Sequence, residues 1–182
     1  MKKQDIIKKI EELFYAKSFK EVSMQDIANE IWMKKASLYY HFPSKEVLIR
    51  EVLEESFENY LNFIKNIIKK WNENNFQELL KKFLDFPEKN KNIFSIINQN
   101  GYEENDEISE IIHQKQKIIF ETMFIAMNAK VWFNREKVFL FFALIQQIWK
   151  KKFSYSRCEV DGKNLLSEVE SLFFNSSISW KK

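Results

Sequence analysis

The chain has 182 residues, enough for one domain or for a small domain leading into a larger one. Two Gly and two Pro are too few for turn-rich sheet architectures, while 45% apolar and 16% aromatic residues exclude global disorder, so the expectation is an all-α fold with a large core. The formal net charge of +3 resides in residues 1–50, which hold ten Lys or Arg against seven acids, and this points to an anion-facing N-terminal segment.

In chain order, Ile6, Ile10, Leu13 and Phe14 recur at helical spacing and predict an amphipathic helix from about Lys2 to Lys17. Ser23-Met24-Gln25-Asp26 places an acid three positions after a hydroxyl residue, the pattern of a capping box, and predicts a short second helix with Met24, Ile27, Ala28 and Ile31 inward. A third helix, Lys35 to Tyr40, should close at Phe42-Pro43, since a residue before proline is pushed out of the helical region. Ser44 then caps a long fourth helix reaching Trp71. Further helical patterns follow at 76–86, 88–99, 106–129, 135–156 and 163–177, with breaks expected at Phe86-Pro87, Asn100-Gly101, Asn134 and Asp161-Gly162. The expected division is a three-helix domain over 1–46 and a helical body over 47–182.

Residues 18–50 thus describe two short helices joined by a tight connection and backed by an apolar first helix, the layout of a helix-turn-helix. The exposed positions expected on the last short helix are Lys34, Lys35, Ser37, Tyr39, Tyr40 and His41, whose cations and hydroxyls suit phosphates and base edges. Tyr40 is expected to be the more exposed of the two tyrosines.

In Phe14, Ser23, Asp26-Ile27-Ala28 and the block Leu38-Tyr39-Tyr40-His41-Phe42-Pro43-Ser44-Lys45-Glu46-Val47-Leu48, the chain resembles the tetracycline-repressor (TetR) family of transcriptional regulators over residues 6–52. The resemblance implies a homodimer that binds a palindromic operator in double-stranded DNA and releases it when a small-molecule effector enters the C-terminal body. It places Lys35, Ser37 and Tyr39 at or near base edges, with Tyr40, His41 and Lys45 at phosphates. Ser23 and Gln25 join them from the preceding helix, and Lys34 begins the reading helix. Two departures stand out. Trp32 occupies the turn where the family carries Gly, a position that costs a bulky residue about 1–3 kcal/mol in left-handed backbone. Lys34 replaces the usual hydroxyl cap.

The run Val138 to Ile145 is apolar around its circumference, yet its eight residues fall far short of the ~20 that cross a bilayer. With the final helix it predicts a two-fold, four-helix interface built from Val138, Phe139, Phe142, Ile145, Trp149, Leu165, Val169, Leu172 and Phe173. An apolar effector pocket is expected among Phe57, Tyr60, Ile64, Phe83, Phe86, Phe94, Ile97, Phe120 and Phe124, with Gln99, His113, Gln116 and Glu121 orienting the ligand. His113 in Glu110-Ile111-Ile112-His113 has the spacing of a di-iron ligand pair, but such sites need two of these motifs. The single Cys158 excludes an internal disulfide or a multi-thiolate site and fits a reducing cytoplasm. Two glycines cannot build a phosphate loop, and no nucleophile and base are brought together by context, so neither an enzyme nor a cofactor is expected. The competing class is a helical protein-interaction module without DNA binding.

Overall fold

The computed structural model describes residues 2–17, 19, 21–71, 75–92, 106–131, 133–154 and 162–174. Its helices run α1 Lys3–Ala16, α2 Met24–Glu30, α3 Lys35–His41, α4 Lys45–Lys70, α5 Phe76–Lys89, α6 Asp106–Val131, α7 Arg135–Ser154 and α8 Gly162–Phe174. The described residues contain no strand, and none of these helices is long and apolar enough to cross a membrane. Most of the helix expected at 88–99 lies outside the described residues, as do the last residues expected of the two final helices.

By compactness the chain falls into two units, Met1–Phe63 with Pro87–Ile118, and Ile64–Phe86 with Ile119–Lys182. The expected boundary at 46/47 lies in the first turn of α4, where the helix continues without interruption.

In the first unit, Ile6, Ile10, Leu13 and Phe14 of α1 are buried every third or fourth residue, together with Ile27 and Ala28 of α2, Leu38 of α3 and Leu48 and Val52 of α4. The Phe14 and Phe19 rings meet edge to face at 4.2 Å. Between α1 and α4, the Ser56 hydroxyl donates to Glu11 Oε1 at 2.8 Å, and Lys3 Nζ lies 2.6 Å from Glu51 Oε1. Burial pushes the Glu11 carboxyl above its ordinary range, against the smaller opposing effect of the Ser56 hydrogen bond.

In the second unit, Phe76 is fully buried among aromatic rings: Phe174 edge-on at 4.8 Å, Phe141 at 5.7 Å and Phe173 at 6.2 Å. Arg135 at the start of α7 binds α6 by two routes. Its guanidinium forms a two-pronged pair with Glu121, one prong at 3.0 Å, and lies 4.8 Å from the centre of the Phe124 ring. Asn134 Oδ1 accepts the Lys137 N–H at 3.0 Å and so caps α7 where the sequence predicts a break.

Two features are not visible in the local sequence, and the first corrects the break expected at Phe86-Pro87. Helix α5 does not stop at Phe86-Pro87 but runs on to Lys89. Proline there removes only one helical hydrogen bond, because Pro87 has no N–H to give to the Phe83 carbonyl. That carbonyl instead accepts the Trp149 indole N–H at 3.0 Å, a buried bond from α7 that repairs the loss. The second feature is Lys130, near the end of α6, whose ammonium donates to the carbonyls of Ile68 at 2.6 Å, Lys69 at 3.1 Å and Trp71 at 2.6 Å. Carbonyls at a helix C-terminus have no intrahelical donors, and the end of the helix carries partial negative charge, so a cation here answers both needs of α4.

Candidate nucleic-acid interface

Helix α2 begins as its sequence dictates. The Ser23 hydroxyl accepts the Asp26 N–H at 3.2 Å, while Asp26 Oδ2 accepts from the Ser23 N–H at 2.8 Å and from its hydroxyl at 2.6 Å. The Ser23 hydroxyl and backbone donors hold the Asp26 carboxyl below the usual carboxylate range. Ser44 repeats the device at α4, accepting the Val47 N–H at 3.2 Å, and its side chain draws the Glu46 carboxyl downward. Both caps fix the ends of the segment that carries α3.

The turn between α2 and α3 is a Schellman motif. The Met33 N–H reaches the Ala28 carbonyl at 2.8 Å, and the Trp32 N–H reaches the Asn29 carbonyl at 3.1 Å. Such a turn needs one left-handed residue, ordinarily Gly. Trp32 fills that place at φ 57°, with its side chain 92% exposed. The turn therefore keeps the geometry that a glycine gives, against the steric preference of the residue that makes it.

Helix α3 is preceded by Lys34, which gives no side-chain cap, and is followed by Phe42, which has extended backbone before Pro43. Leu38 and Phe42 are fully buried and anchor the helix from below. On the outer face, Lys34, Lys35 and Ser37 are exposed, Tyr40 is 87% and Tyr39 41% exposed, and His41 and Lys45 are half-buried. Tyr40 is thus the more open tyrosine, as the sequence predicts. Lys35 Nζ lies 5.9 Å from the centre of the Tyr39 ring, which biases both side chains on one stripe of the helix. From α2, Ser23 and Gln25 are exposed as well, and the Gln25 amide donates to Asn29 Oδ1 at 2.8 Å. The result is a short rod whose open side carries two cations, three hydroxyls and an indole at its entry.

The other predicted positions divide by depth. Phe57 and Tyr60 are buried in the first unit, and burial pushes the Tyr60 phenol upward. His113 is exposed and Gln116 half-buried in that unit. Ile64, Phe83 and Phe86 are buried in the second unit, where Phe120, Glu121 and Phe124 are half-buried, with Glu121 engaged by Arg135. Phe94, Ile97 and Gln99 lie outside the described residues. An open depression of about 460 Å³ is lined by Phe120, Arg135, Glu136, Phe139 and Leu140.

On α7, Val138, Ile145 and Trp149 turn inward at 0–3% exposure, whereas Phe139 is 61% and Leu140 44% exposed. On α8, Val169 and Phe173 are buried, Leu172 is 56% exposed, and Leu165 and, back on α7, Phe142 are half-buried. The inward set is consumed by the chain's own core. Phe139 and Leu140 on α7 and Leu172 on α8 are therefore the predominantly outward large apolar side chains of these two helices among the described residues. Leu140 lies outside the set predicted from sequence, because an all-apolar run does not reveal which side its own body covers.

With this geometry in view, residues 6–52 match the family of bacterial regulatory proteins named tetR. The chain is 33% identical over 133 residues to the uncharacterized HTH-type transcriptional regulator YerO of Bacillus subtilis, covering 70% of this chain and 45% of that protein. It is 36% identical over 62 residues to IcaR of Staphylococcus epidermidis, the HTH-type negative transcriptional regulator of the biofilm operon icaADBC, covering 34% of each. The chain thus spans less than half the length of the curated relatives it matches. Among solved structures, AibR in complex with isovaleryl coenzyme A and operator DNA superposes with a TM-score of 0.69 at 15% identity, over 94% of this chain and 97% of that one. At that identity the likeness shows a shared all-α fold.

Proposed function

Because residues 6–52 match the tetR family of bacterial regulatory proteins, we propose that the chain is a sequence-specific DNA-binding regulator, a repressor that binds a palindromic operator as a homodimer. The observation that carries this reading is the outer face of α3: Lys34, Lys35, Ser37, Tyr39 and Tyr40 stand open on a helix anchored by the buried Leu38. Cations and hydroxyls on a rod of this width suit the major groove, where phosphates position and base edges specify. Lys35, Ser37 and Tyr39 take the base-edge roles. Lys34, Tyr40, His41, Lys45, Ser23 and Gln25 take the backbone.

A homodimer brings two such helices to successive major grooves, about 34–36 Å apart. The exposed apolar side chains Phe139, Leu140 and Leu172 support self-association, since a large exposed apolar side chain gains about 1.5–3 kcal/mol on full burial. A small apolar effector taken up by the helical body, near the half-buried Phe120 and Phe124, would release DNA by favouring a different spacing of the two reading helices. Coupling of about 1–3 kcal/mol is typical of such switches.

The test is selection of bound duplexes from a random pool. A palindromic product is expected, and its affinity should fall steeply as salt rises. Lys45→Ala should weaken all duplexes alike, whereas Lys35→Ala or Ser37→Ala should change the selected sequence. A wild-type protein that captures no duplex at low salt overturns the reading.

A further inference from the structure

Trp32 is costly to its own protomer on two counts. Its backbone sits at φ 57°, where a side chain beyond Cβ is strained, and its indole is 92% exposed to water. Glycine would satisfy the same Schellman turn without either cost. Among the described residues, no hydrogen bond or ring contact of the indole offsets them. The turn hydrogen bonds, Trp32 N–H to Asn29 and Met33 N–H to Ala28, are backbone bonds that any residue in this conformation makes.

What offsets the cost must therefore come from outside the protomer, and the surroundings of Trp32 narrow its chemistry. The next exposed residues along the chain are Lys34 and Lys35, cations at the start of α3. A partner at this place must accept positive charge and also present an apolar surface to a flat ring. The sugar-phosphate backbone of DNA does both, with anionic oxygens beside deoxyribose carbons. The indole is a hydrogen-bond donor and not an acceptor, which matches phosphate.

We propose that Trp32 is a DNA-backbone contact: its indole covers a deoxyribose and donates Nε1–H to a phosphate at the edge of the stretch read by α3. The proposal rests on the reading of α3 as the DNA-facing helix. It adds to that helix a contact from the turn, one that is neutral and indifferent to base sequence.

The experiment compares full-length wild type, Trp32→Gly and Trp32→Phe on a selected duplex and on a scrambled one, across a salt series, with thermal melting of each protein. Trp32→Gly is expected to melt about 2–4 °C higher, as strain is relieved, yet to bind both duplexes about tenfold more weakly. The slope of affinity against salt should not change, because a neutral group releases no counterion. Trp32→Phe should melt near wild type and bind between the two. Iodide should quench an accessible tryptophan in wild type, absent from Trp32→Phe, and duplex should protect it.

A more stable Trp32→Gly that binds as tightly as wild type overturns the contact. So does loss of both stability and affinity, which would make the indole structural, or a change in sedimentation without DNA, which would assign it to a second copy. If wild type and variants alike ignore duplex at low salt, the reading of α3 fails and takes this contact with it, an outcome distinct from the others.

Discussion

Glu11 is 8% exposed and accepts a hydrogen bond from Ser56. Burial raises its pKa first, and Glu55 and Glu12 add to the rise, while Ser56 and Lys8 oppose it. A carboxyl whose folded pKa lies above its unfolded value binds its proton more tightly when folded. Its charge therefore penalises the fold at neutral pH, and the penalty is relieved as pH falls through the raised pKa toward the ordinary glutamate range. Glu11→Gln keeps an acceptor for Ser56 and removes the charge. Denaturant unfolding should show the variant more stable than wild type at pH 7, with the gap narrowing toward pH 5. A gap of constant size would show that charge is not its cause. Asp26 works in the opposite sense: its lowered pKa gives α2 support that is present above the unfolded value and lost as pH falls through the folded one.

Among the helices, those set by neighbours in sequence are the ones the sequence makes legible. The Ser23 and Asp26 box, the Ser44 cap and the Asn134 cap each join residues three positions apart, so their chemistry is visible in one short window. Pro87 reads as a stop for the same reason and misleads, since what keeps α5 going is an indole 66 positions away from the carbonyl it serves. Lys130 is likewise one lysine among many until the fold brings the end of α4 within its reach. Lys130→Met keeps the aliphatic stem and removes the donor, leaving the carbonyls of Ile68, Lys69 and Trp71 without it. The expected loss is about 1–2 kcal/mol in denaturant unfolding. An unchanged midpoint would mean that water replaces the ammonium at no cost.

At the level of the assembled protein, the expected two-fold interface depends on a small outward set rather than on the whole apolar run. Phe139 and Leu172 are exposed, so replacing them should spare the fold of the protomer. Phe139→Glu with Leu172→Glu is expected to sediment at the mass of one chain where wild type sediments as two. Binding to a full palindrome should fall to that of a half-site. Sedimentation as a pair despite both charges would move the interface elsewhere. The exposed positions of α3 are legible because the helix is short and its two buried anchors, Leu38 and Phe42, leave the other positions outside. Phe57, Tyr60 and Phe83 are buried, and in sequence such residues look alike whether they line a hollow or fill one.

The bond from the Trp149 indole to the Phe83 carbonyl also sets the registration of one helix against another. A missing rung in α5 offers a socket at a single height, and α7 carries the peg that fits it. Sliding α7 by one turn would withdraw the peg and strand a thirsty oxygen in oil. The proline that seemed to end a helix thereby fixes the position of its neighbour.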